Sequence, residues 1–118
     1  MNIDRVNSEL KRQIALIIDN NEIKDPRLSG IVSVTGVETA KDLGSAAVYI
    51  SVLNGDIKEV LTALKSASGY IRNLLKNRIT VRNMPELRFA ADNSIEYGLK
   101  MDRLIKDVIK DDNDRGLS

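Results

Sequence analysis

The chain has no cysteine and no histidine. Without thiols it can form no disulfide and offers no thiolate to a metal ion. Without imidazole, neither a histidine-based triad nor a histidine metal site can be built. Tryptophan is absent as well, and Tyr49, Tyr70, Phe89 and Tyr97 are the only aromatic residues. The core must therefore be aliphatic. No apolar run approaches the ~18 residues a membrane-spanning helix needs. The start, MNIDRVNSELKRQ, lacks the apolar centre of a secretion signal. These absences give the expectation of a cytoplasmic protein with no membrane partner. Neither a G-x-x-x-x-G-K-[ST] nor a G-x-G-x-x-G phosphate cradle occurs. The only adjacent carboxylates, Asp111 and Asp112, sit in a polar C-terminal stretch, without the rigid support that catalysis demands. Nothing marks a serine or lysine as activated. The chain reads as a non-enzyme, with no cofactor, no metal and no small-molecule substrate.

What is present fits one domain. The 118 residues suffice to bury about 65% of the unfolded surface without staples. Net charge is only +1, but its distribution is uneven. Between Val60 and Pro85 stand Lys65, Arg72, Lys76, Arg78 and Arg82, with no acidic residue among them. Apolar residues at Ile3, Val6, Leu10, Ile14, Ile17 and Ile18 predict a first helix over about residues 3–20. Pro26 then interrupts, and IVSVTGVETA reads as a strand in which Gly36 suggests a bulge or bend. AAVYISVL is a second strand, close enough in sequence to form an antiparallel hairpin with the first. Asp56, with Glu59 three residues on, resembles a capping box for a long helix. LRFAA is a short third strand, and residues 94–110 carry a final helical stripe. The order is α-β-β-α-β-α. It gives an α+β fold with a small three-stranded sheet packed on helices. One domain is expected over residues 1–110, followed by a disordered acidic tail at 111–118.

The long helix carries the chemistry. At 100° per residue, Lys58, Lys65, Arg72 and Lys76 fall within about 40° of one another. Thr62, Ser66, Tyr70, Asn73 and Asn77 occupy the neighbouring arc. Acidic partners at i and i+4 are missing after Glu59. Unpaired cations in register suit a phosphate backbone, and the neutral polar residues suit ribose and bases. An ordinary solvated helix face would show the same residues. Gly69 stands inside this helix, where glycine costs ~1 kcal/mol relative to alanine. It admits close backbone packing, or is a tolerated defect, or marks a bend, with φ > 0 at Gly69 and Ser68 capping a second helix.

The sequence resembles the bacterial ribosome-binding factor A family over about residues 3–108. The resemblance rests on ELKRQIALII, IKDPRLSGIVSVTGVETAKDLGSAAVYISVL, ALKSASGYIRNLL and MPELRFAADNSIEYG, in that order. It implies a type II KH-like fold. Nucleic-acid-binding KH domains carry a G-x-x-G loop between two helices. This family has an Ala-x-Gly kink instead, matched by Ala67-Ser68-Gly69. The resemblance further implies a monomeric factor that binds the small (30S) ribosomal subunit and its 16S rRNA. It would assist late maturation near the 5′-terminal helix and support growth in the cold. On this reading Lys65, Arg72, Lys76, Arg78 and Arg82 contact phosphates, Ala67, Ser68 and Gly69 shape the surface, and Arg88 is a further candidate. Five neutralised phosphates would give a log–log salt slope of about −3.5 to −4.5. The alternative is a small regulatory α+β module that binds a metabolite or a protein partner. It would show an apolar pocket or an exposed apolar patch.

Overall fold

A computed structural model describes residues 2–93. The helix expected over 94–110 and the tail at 111–118 lie outside the described residues. Helix α1 spans Ile3–Asp19. Asn2 caps it, accepting from the N–H of Asp4 at 2.9 Å and of Arg5 at 3.3 Å. Its buried face is Val6, Leu10, Ile14 and Ile17, the stripe that the spacing predicts. Half-buried Asn7 fixes this helix to the sheet. Its Oδ1 accepts from both the backbone N–H (2.9 Å) and the hydroxyl (2.6 Å) of Thr39.

Strands β1 (Ile31–Thr39) and β2 (Ser45–Leu53) pair antiparallel. The register passes from Val34↔Ile50 directly to Gly36↔Tyr49, leaving Thr35 as a bulge. The bulge has a packing reason. Val34 and Val37 are both buried although their spacing is odd, and one extra residue brings both to the core face. Asp56 caps helix α2 (Ile57–Ser66), accepting from Lys58 N–H at 2.9 Å. Helix α3 (Ser68–Lys76) follows after a single residue. Strand β3 (Glu86–Ala91) then pairs parallel with β2, and the two helices supply the crossover that parallel strands require. The sheet order is β1-β2-β3.

All three helices cover one face. Leu10, Ile14, Ile17, Val48, Ile50, Val60, Leu64, Ile71 and Leu75 are the largest fully buried side chains. Every fully buried residue among those described is apolar or a proline. Ile31 and Leu53, a cross-strand pair, remain about 60% exposed at one end of the opposite face. The expected α+β architecture with its three-stranded sheet is the one observed.

The loop from α1 to β1 is held by two ion pairs. Three Arg27 donors bond to the Asp25 carboxylate: the backbone N–H at 2.9 Å, Nε at 3.0 and 3.3 Å to its two oxygens, and Nη2 at 2.6 Å. The side-chain bonds first, then the backbone bond, lower the Asp25 pKa from 3.8 to about 2. Because the folded value lies below the unfolded one, the contribution is complete above pH ~4 and is lost as the pH falls through ~2. An acid titration followed by the Asp25 carboxyl carbon shift should show a midpoint near 2. Arg27→Ala should return it towards 3.8. An unchanged midpoint in that variant would contradict the assignment of cause.

Candidate nucleic-acid interface

Ala67, with φ −91° and ψ 1°, breaks the long helix. The hydrogen-bond ladder continues on either side of it, from Ala67 N–H to Ala63 O and from Ile71 N–H to Ala67 O. The expected division into two helices is present, but two of its expected details are not. Ser68 makes no side-chain cap; it is the first residue of α3. Gly69 does not have positive φ, which among the described glycines belongs to Gly30 alone. A Cβ built on Gly69 meets nothing within 4 Å. The backbone turns at the preceding alanine, a residue that tolerates φ near −90°, so no left-handed glycine is needed. Gly69→Ala should consequently stabilise the chain by about 0.4–1 kcal/mol. Chemical denaturation measures this directly, and a lowered midpoint would contradict the helical assignment.

The break divides the predicted basic stripe. Lys65 and Ser68 lie beside β3. With Leu87, Arg88 and Phe89 they line a shallow groove of about 390 Å³ that also contains Glu86. Arg72 and Lys76 lie further along α3. They line a second concavity of about 440 Å³ together with Ile79, Val81, Arg82, Asn83 and Met84. Among the described residues, no acidic side chain lines this second concavity. Lys65, Arg72, Lys76 and Arg82 make no ion pair among the described residues. Lys58 lines neither concavity.

Arg72 differs from its neighbours. It is half-buried, and its Nη2 donates to the main-chain oxygen of Met84 at 2.7 Å. Its Nε is cut off from solvent and has no acceptor among the described residues. Sequence reasoning could not have found Met84 as a partner, because a backbone carbonyl carries no residue signature. Asn83 was missed for a related reason: it belongs to the irregular segment before β3, where no periodicity operates.

Two of the predicted phosphate contacts are already engaged. Arg78 forms a two-point pair with Glu22, Nη2 to Oε1 at 2.6 Å and Nη1 to Oε2 at 3.1 Å. That bond raises the Arg78 pKa above its ordinary value. The pair ties the end of α3 to the loop after α1, and it faces a different concavity, shared with Asn2, Arg5 and Glu9. Arg88 sits 3.3 Å from Glu86, with both side chains well exposed. Such an exposed pair contributes only ~0–1 kcal/mol and opens readily.

The profile of the family described as ribosome-binding factor A matches residues 2–105. The chain belongs to the ribosome-binding factor A family. A Clostridium botulinum ribosome-binding factor A is 50% identical over 107 residues, covering 88% of this chain and 91% of that relative. A Legionella pneumophila ribosome-binding factor A is 47% identical over 105 residues, covering 89% of this chain and 85% of the relative. The crystal structure of ribosome-binding factor A from Thermus thermophilus superposes with a TM-score of 0.66 at 28% identity, over 77% of this chain and 97% of that one. A homology model of Thermus thermophilus ribosome-binding factor A, fitted into a cryo-electron microscopy map of its 30S complex, gives a TM-score of 0.62 at 29% identity. That fit covers 74% of this chain and 91% of the other. No helix among the described residues is long and apolar enough to cross a membrane, and none of their carboxylates cluster as a metal site.

Proposed function

We propose that this chain binds the free small ribosomal subunit in the cytoplasm. There it assists late maturation of 16S rRNA near its 5′-terminal helix, acting as a monomer and without catalysis. The observation that carries the reading is the concavity of Arg72, Lys76 and Arg82, free of acids among the described residues, with Lys65, which has no ion pair among them, in the groove beside β3. Each phosphate neutralised there releases counterions, which is the main source of backbone affinity. The 30S complex of the Thermus relative supports the choice of partner. The factor would work by differential binding, favouring one rRNA arrangement over its competitors. Mispaired RNA helices escape more slowly in the cold, so the need for such a factor rises as temperature falls.

Depleting the protein from its own cell tests this reading. Precursor 16S rRNA and free small subunits should accumulate, more at low temperature, and the wild-type gene should restore both. Normal rRNA ends in depleted cells grown cold would refute it.

A further inference from the structure

We infer that the concavity between α3 and the segment before β3 is a discrete phosphate pocket, in which Arg72 leaves the Met84 carbonyl and takes an RNA backbone phosphate by its Nε–Nη2 edge. The inference rests on the proposed RNA-binding function and assigns one residue a role that charge alone does not give it.

Nε–H and one Nη2 hydrogen lie on the same edge of a guanidinium. The single Met84 oxygen occupies Nη2 at 2.7 Å and leaves Nε without an acceptor. Buried N–H groups left unpaired are rare in native structures. A phosphate carries two oxygens at the spacing of that edge and can satisfy both donors at once. The exchange replaces one bond to a neutral carbonyl with a bidentate ionic pair. Lys76 and Arg82 line the same concavity, both exposed and free of ion pairs among the described residues, and they supply the remaining positive field. Asn83 adds a neutral donor there. Ile79, Val81 and Met84 form the apolar part of the lining.

Lysine cannot reproduce this edge, since its ammonium is a point charge. Arg72→Lys keeps the net charge, so a mere basic face would bind equally well after the change. We would measure binding of the full chain to a fluorescein-labelled oligouridylate by anisotropy, at several salt concentrations. Arg72→Lys should weaken binding by about tenfold or more, because the bidentate edge is lost. Arg12→Lys, on the exposed face of α1 and lining neither concavity, makes the same exchange outside the site and should stay within about twofold. Should Arg72→Lys fail to fold, the Nε–H resonance of Arg72 in the wild type provides the second readout. It should shift on addition of the oligonucleotide. Either equal binding by a folded Arg72→Lys or an unmoved Nε–H signal at saturation overturns the inference while leaving the basic face intact. Absence of oligonucleotide binding by the wild type also overturns it. If the wild type in addition fails to bind small subunits, the functional reading itself falls.

Discussion

Replacing Arg72, Lys76 and Arg82 together by glutamate should abolish binding to purified small subunits. These three side chains line one concavity with no acid among its described lining residues. Each reversal removes an attraction to phosphate and adds a repulsion. With Lys65 they make four unpaired cations, because Arg78 is taken by Glu22. Four phosphate contacts predict a log–log salt slope of about −2.8 to −3.6 for the wild type, shallower than five would give. The triple variant should lose at least ~1000-fold in affinity, and what remains should keep a slope no steeper than about −0.9, from Lys65 alone. Folding should survive. Lys76 and Arg82 are exposed, and loss of the Arg72–Met84 bond costs about 1 kcal/mol. Reversing Arg78 instead should leave the slope unchanged and reduce stability, since it breaks the link between α3 and the α1–β1 loop. Filter binding and thermal melts separate the two outcomes.

Gly30→Ala should be the most damaging of the glycine-to-alanine changes among the described residues. Gly30 has φ +73°, in the left-handed region. An added Cβ would lie 2.4 Å from Leu53 O and 2.7 Å from the carbonyl of Asn54. The obstacle is backbone, which cannot rotate aside as a side chain would. Left-handed geometry alone costs an L-residue ~1–2 kcal/mol, and relief of the clash must move the end of β2. The sum should be about 3 kcal/mol or more, at the upper end of single substitutions. The contrast with Gly69 is instructive. The same one-carbon addition should stabilise at Gly69, where space is open and φ is helical, and destabilise at Gly30. Urea denaturation of the two variants side by side tests both signs.

The sequence made some elements plain and others opaque, for physical reasons. The stripe from Ile3 to Ile18 and the alternation Ala46, Val48, Ile50 put regular periods on residues that face one core, and both elements are where those periods place them. The pairing of β2 with β3 is long-range, and no local pattern encodes it. Gly69 misled because glycine signals either positive φ or a small side chain, and sequence cannot separate them. The division it suggested is present, yet it falls at Ala67. The basic stripe was visible as spacing, but a helical wheel assumes a straight axis. The break at Ala67 assigns Lys65 to one groove and Arg72 with Lys76 to another. Arg78 looked equivalent to its neighbours, and only the fold brings Glu22, 56 positions away, against it.

Sedimentation of a cell lysate through a sucrose gradient at physiological salt tests the central claim most directly. The full-length chain should migrate with free small subunits and be absent from translating ribosomes, and the Arg72, Lys76, Arg82 charge reversal should shift it to the top of the gradient. Wild-type chain at the top, or a reversed variant that still travels with small subunits, would contradict the account.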